Sequence, residues 1–194
     1  MRRASLLTVS VALILVLATG VALAATINGT AKDDFLRGTD GPDRIGARDG
    51  NDEVRALAGN DQVFGGTGMD TLYGKENADL IVGGRGSDAL DGGIGNDTLK
   101  SHFDGRADNL ACSQGNDTAY VEPNDIVDDN KVGRLALTAA NNGATPVTSC
   151  ETLKVYVTEN LVLTIESGEA TGVVGGTLED VTNELIDLGF ISIG

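Results

Sequence analysis

The nine residues GGIGNDTLK, Gly92–Lys100, contain three glycines, an Asn-Asp pair and one leucine. Counting back in nines from Gly92 turns this stretch into the last member of a series. From Gly29 the blocks read GTAKDDFLR, GTDGPDRIG, ARDGNDEVR, ALAGNDQVF, GGTGMDTLY, GKENADLIV, GGRGSDALD and GGIGNDTLK, without an insertion. Position six is aspartate in every block: Asp34, Asp43, Asp52, Asp61, Asp70, Asp79, Asp88 and Asp97. Position eight is aliphatic in every block: Leu36, Ile45, Val54, Val63, Leu72, Ile81, Leu90 and Leu99. A fixed short period is the signature of a solenoid, so the repeat decides the fold.

Each block has two physical halves. Its first six residues are rich in glycine and suit a tight turn that presents carbonyl oxygens. The last three alternate polar, apolar, polar, which predicts a minimal strand with the middle side chain inward. Two blocks complete one circuit of a parallel coil, and residues two blocks apart stack about 4.8 Å from each other. The aspartates then form two columns, Asp34-Asp52-Asp70-Asp88 and Asp43-Asp61-Asp79-Asp97. Stacked carboxylates repel, and lysine and arginine are too few and too irregular here to pair at every level. Carboxylates with backbone carbonyls are an oxygen-only donor set, which suits a hard cation such as Ca²⁺. Mg²⁺ suits it less, because it demands octahedral geometry and keeps its water. Burying one aliphatic side chain per nine ordered residues is a thin driving force, so cation binding and folding are expected to be one event.

Composition agrees. The 194-residue chain carries a formal net charge of −15, with 4% aromatic residues and no tryptophan. Such acidity excludes a phosphate-binding surface for nucleic acid. The N-terminus, with Arg2 and Arg3 before LLTVSVALILVLATG and the small-residue site Ala22-Leu23-Ala24, reads as a signal peptide over residues 1–24. The alternative is an uncleaved anchor over Ala4–Ala25. Cleavage after Ala24 predicts a secreted protein, extracellular or surface-associated, with no membrane segment afterwards. In an oxidising compartment the two cysteines, Cys112 and Cys150, are expected to pair. A zinc site is excluded by a single histidine, His102.

The eight blocks resemble the RTX (repeats-in-toxin) calcium-binding nonapeptide G-G-x-G-x-D-x-U-x. The resemblance implies an all-β, right-handed parallel β-roll over residues 25–111, with Ca²⁺ between turns two blocks apart. The ligands implied are the eight position-six aspartates and carbonyls of the glycine-rich turns, Gly65, Gly66, Gly68, Gly83, Gly84, Gly86, Gly92, Gly93 and Gly95. Eight blocks make six such pairs, hence about six ions. Blocks five, seven and eight are the most regular. Departures are Lys32 in block one, Arg48 and Leu57 at position two of blocks three and four, and Lys75 and Asn77 in block six.

Residues 112–194 are expected to form a small mixed capping region that holds the disulfide. DGRADNLA and SQGNDTAYV read as degenerate blocks using Asp108 and Asp117. TLKVYV and LVLTIE alternate like strands. TLEDVTNELIDLG reads as a helix, with Thr177 and Asp180 as a capping box and Leu178, Val181, Leu185 and Leu188 on one face. That face packs on neighbouring strands or docks on the roll. Outward Phe64, Leu80 and Val82 make an apolar patch suited to an extracellular protein or polysaccharide partner.

No arrangement of nucleophile and base, and no phosphate-binding loop, stands out. Ser101 beside His102 is adjacency, not a triad. The reading is a calcium-binding protein with a structural or interaction role and no enzymatic activity. The alternatives are an adhesion or accessory module for cell surface or matrix, and a small hydrolase with its site in residues 101–194.

Overall fold

The computed structural model describes residues 23–101, 104–128, 130–131, 150–158, 161–166 and 169–187. The signal-peptide region up to residue 22, His102 and the segment 132–149 lie outside the described residues. The chain forms a parallel β-roll of two facing sheets. Strands β1 (Thr26–Asn28), β3 (Arg44–Asp49), β5 (Gln62–Thr67), β7 (Leu80–Arg85), β9 (Thr98–Lys100) and β11 (Thr118–Val121) lie side by side in the first sheet. The second sheet holds β2 (Phe35–Arg37), β4 (Glu53–Ala58), β6 (Thr71–Glu76), β8 (Ala89–Ile94) and β10 (Asn109–Gln114). Pairing is parallel, with register offsets of one circuit: Val63 opposite Ile45 and Ile81, Leu72 opposite Val54 and Leu90.

Strands inside the array are longer than the three residues that the alternation predicts. β5 through β8 each run from position seven of one block to position three of the next. Burial alternates along them, and both position eight and the following position one point inward. Position one is therefore small for a packing reason. Ala47 and Ala56 there are fully buried, and a Cβ at Gly65 or Gly83 would strike an aspartate carboxylate of its own block. In blocks three to eight, positions two and four all take positive φ, even where glycine is missing: Arg48 (85°), Leu57 (88°), Lys75 (89°) and Asn77 (78°). The turn is thus imposed by its neighbours, against a local cost of roughly 1–2 kcal/mol per non-glycine residue.

The stacking continues past Lys100. Ser101 and His102 are a two-residue insertion, after which block nine (103–111) and block ten (112–120) resume the pattern. Leu110 pairs with Leu90 and Ala119 with Leu99, so the inner ladder runs on. The second sheet then ends with β12 (Ile126–Val127) and the antiparallel β13 (Asn130–Lys131). The first sheet goes further, through β14 (Thr152–Thr158) and the antiparallel strands β15 (Leu161–Glu166) and β16 (Glu169–Val174).

Helix α1 (Leu178–Asp187) covers the extension of the first sheet, contacting β14 and β15. Val181 and Leu185 are fully buried in the same core as Val155, Leu163 and Ile165. The helix packs on neighbouring strands where the second sheet has run out. Its N-terminus is the expected capping box, with Asp180 Oδ2 accepting from Thr177 N at 2.6 Å and Thr177 Oγ1 accepting from Asp180 N at 3.2 Å. Cys112 and Cys150 form a disulfide that closes a loop of 38 residues, worth about 4 kcal/mol on loop-closure entropy.

Leu72 is fully buried in the middle of the ladder. Leu72→Ala should lower stability by roughly 2–5 kcal/mol in urea unfolding. A change below about 0.5 kcal/mol would show that the ladder is not a packed core.

Candidate metal centre

Position six places each aspartate at the corner where a turn enters a strand, and the stacking makes these corners into two columns. One oxygen of each carboxylate reaches back one circuit to the main chain. Asp61 Oδ1 accepts from Asp43 N at 2.7 Å, Asp79 Oδ1 from Asp61 N at 2.8 Å and Asp97 Oδ1 from Asp79 N at 2.9 Å. Asp52, Asp70 and Asp88 do the same in the other column. Across the insertion the columns extend to Asp108 and Asp117, which accept from Asp88 N at 2.8 Å and Asp97 N at 2.7 Å.

The second oxygen is the chemically telling one. Oδ2 of Asp52, Asp61, Asp70, Asp79, Asp88, Asp97, Asp108 and Asp117 is buried without a hydrogen-bond partner. Each of these residues is at most 3% exposed. A buried carboxylate oxygen with no donor is costly, and repeating it eight times calls for a positive partner. Beside Asp70, Asp79 and Asp97 that oxygen shares its space with a main-chain carbonyl. A Cβ built on Gly65 would strike both Asp70 Oδ2 and the carbonyl of Gly83 in the next turn, and one on Gly74 would strike Asp79 Oδ2 and the carbonyl of Gly92. At positions two and four, carbonyls such as Gly66 O, Gly68 O and Asn77 O point at the glycines one circuit on. The donor set is carboxylate and carbonyl oxygen, which is what Ca²⁺ takes. Among the described residues no three His, Cys, Asp or Glu side chains converge, so main-chain carbonyls would have to supply most of any ligand shell.

Both columns begin differently. Thr30 at position two donates its amide (2.6 Å) and hydroxyl (2.8 Å) to Asp34 Oδ2. Thr39 does the same for Asp43 Oδ2, at 2.6 and 3.1 Å. These hydrogen bonds hold the Asp34 carboxyl below its ordinary range. The orphaned oxygens therefore start at Asp52 and Asp61 and run on to Asp108 and Asp117. Asp79 in the irregular block six is as buried and as orphaned as its neighbours, since Lys75 and Asn77 adopt the turn that glycine would.

At the far end, Asp125 Oδ1 accepts from Asp108 N at 2.9 Å and Asp125 Oδ2 from Glu122 N at 2.7 Å, so both of its oxygens are satisfied. Glu122 itself accepts from Asp104 N at 2.7 Å. Asp125, Glu122, Thr30 and Thr39 escape a strict nine-residue count, because they stand where the period begins or breaks. Asp108 and Asp117 are recovered by moving the frame two residues after Lys100.

Burial, reinforced by neighbouring carboxylates, raises these acids. Asp70 and Asp117 are pushed up to about 6, Asp79 to about 7 and Asp108 to about 8. Asp52, Asp61, Asp88 and Asp97 move in the same direction for the same first cause, burial.

Residues 28–63 and 64–99 match the family model of the RTX calcium-binding nonapeptide repeat, described as four copies. No curated protein and no solved structure matches the chain.

A group whose folded pKa is raised contributes stability below its unfolded pKa and loses it as pH climbs through the folded value. The metal-free roll should therefore be most stable near pH 4 and weaken from there upward, levelling off near pH 8. Thermal melts of metal-depleted protein check this, and a midpoint that rises over that interval contradicts it.

Proposed function

We propose, starting from the RTX calcium-binding nonapeptide repeats that residues 28–99 carry, that this chain is a secreted protein whose roll closes around Ca²⁺ ions lying between successive turns. The observation that carries this reading is the double series of buried Asp Oδ2 atoms, each without a donor, with main-chain carbonyls beside those of Asp70, Asp79 and Asp97. The residues fit the ion in donor type and in charge. Asp52, Asp61, Asp70, Asp79, Asp88 and Asp97 would hold it, together with carbonyls of Gly65, Gly66, Gly68, Gly83, Gly84, Gly86, Gly92, Gly93 and Gly95. Six of the eight orphaned carboxylates lie in the uninterrupted nonapeptide register, which keeps the count near six. The set is shifted from the one that counting pairs suggests, because Thr30 and Thr39 already serve Asp34 and Asp43.

Ca²⁺ would neutralise the columns and bridge one turn to the next. The protein part is to hold oxygens in register and exclude water from them. An extracellular setting follows from the reading of residues 1–24 as a signal peptide, and calcium there is abundant enough for sites of the ~10⁻⁴–10⁻³ M class. Among the described residues no helix is long and apolar enough to cross a membrane. The role is structural or interactive rather than catalytic, since the buried acids sit in a repeated array facing carbonyls rather than in one cleft.

An accessory role at a surface or matrix has its own support on the outer face of the first sheet. The Arg44 guanidinium lies 4.4 Å from the Phe64 ring. Tyr120 is flanked by Lys100 and Lys154 at 5.0 and 5.2 Å and stacks with Tyr156 at 6.3 Å. Such rigid aromatic–cation rows suit contact with a protein or polysaccharide.

Calcium titration of metal-depleted protein, followed by far-UV circular dichroism and calorimetry, tests the proposal. Uptake of several ions with a large gain in β signal is expected, and Asp79→Asn should weaken that uptake. A spectrum in chelator equal to the calcium-loaded one, or uptake of a single ion, would refute it.

A further inference from the structure

The even-block column, Asp43-Asp61-Asp79-Asp97-Asp117, does not stop at its last nonapeptide. Glu151 Oε2 accepts from Asp117 N at 2.6 Å. That is the bond by which every aspartate of the column holds the one before it. The strand that follows confirms the equivalence: Thr152, Leu153 and Lys154 pair in parallel with Thr118, Ala119 and Tyr120, which pair in turn with Thr98, Leu99 and Lys100. Glu151-Thr152-Leu153-Lys154 therefore repeats Asp97-Thr98-Leu99-Lys100, with glutamate in the sixth position and no glycine-rich residues before it.

Two further facts bear on this end of the roll. Asp117 Oδ2 is buried and unpartnered, in a residue only 1% exposed. In the complete turns the corresponding oxygen faces the following turn, as Asp97 Oδ2 shares the space beside Gly92 with the carbonyl of Cys112. The turn that follows Asp117 is the one that contains Glu151. The other column ends on Asp125, whose two oxygens are occupied by the N–H groups of Asp108 and Glu122, although Asp108 Oδ2 is left without a partner there too.

Sequence distance is bridged covalently. Asp117 and Glu151 are 34 residues apart, where ordinary steps in the column are 18 or 20. Cys150 precedes Glu151 and is bonded to Cys112, which occupies position one of block ten. The disulfide does for this last turn what glycine-rich residues do for the others: it fixes where the carboxylate enters the column.

We infer that Glu151 completes one more cation site against Asp117 at the end of this column, and that the Cys112–Cys150 bond is the element that positions it. This inference rests on the calcium reading proposed above. Glutamate has the charge and donor type the position needs, with one methylene more of reach than aspartate.

The test counts Ca²⁺ ions bound per molecule of full-length protein, by native mass spectrometry at saturating Ca²⁺, for wild type, Glu151→Gln and Cys112→Ala/Cys150→Ala. Alanine is the residue that already stands at position one in two turns, Ala47 and Ala56. Each variant is expected to bind one ion fewer than wild type while the others are retained. Glu151→Gln keeps the disulfide, so it decides the matter even where the cysteine variant folds poorly. Equal stoichiometry in Glu151→Gln would overturn the role of Glu151, leaving it a hydrogen-bonding cap. Equal stoichiometry in the double alanine variant would overturn the positioning role of the disulfide. A wild type that takes up no Ca²⁺ would overturn the calcium reading of the whole roll.

Discussion

A carboxylate buried in a protein has two oxygens to satisfy, and in each inner turn of this roll only one of them meets a donor. Asp61 Oδ1 takes the amide of Asp43 and Asp79 Oδ1 takes the amide of Asp61, while Oδ2 of both is left without a donor. The arrangement ties the main chain of one circuit to the side chain of the next, which sets the register. It also leaves a row of carboxylate oxygens that no donor among the described residues satisfies. Other features follow from it: small residues at position one, positive φ at positions two and four, and acids with raised pKa in the absence of metal.

The inner ladder is the weaker partner. Ile45, Val54, Val63, Leu72, Ile81, Leu90 and Leu99 are all buried, yet each circuit of eighteen residues contributes only two such side chains. A conventional core can tolerate the loss of one contact because each residue touches many others. Here each level touches mainly the levels above and below, as in other solenoids. Cohesion then depends on what links level to level, and the carboxylate columns are placed at those links.

An open stack also needs ends. At the start, threonine at position two of blocks one and two gives its hydroxyl and amide to the first aspartate of each column, so neither Oδ2 is left bare. At the far end the second sheet stops on a short antiparallel pair, and helix α1 covers the inner face of the first sheet beyond it. Exposed parallel edges invite further pairing. Turning the last strands antiparallel and laying a helix across them converts the end of a repeating structure into a finite one.

The nine-residue period, with aspartate at six and an aliphatic residue at eight, was enough to derive parallel strands, two aspartate columns and an oxygen-only donor set. The Thr177–Asp180 box and the β14 and β15 segments were also legible, because caps and alternation are local signals. Less was visible where contacts are long-range. Strand length was underread because position one is inward for steric reasons that only the facing sheet supplies. Asp108 and Asp117 were visible only as degenerate copies, since two inserted residues break the frame without breaking the stack. Glu151 looks like any surface acid until the pairing of β14 with β11 puts it in line with Asp117. The sequence by itself therefore determined the repeating unit and its chemistry, because both are set by local spacing. Only the tertiary structure decided where the columns begin and end, because those ends are made by residues brought together from up to 38 positions apart.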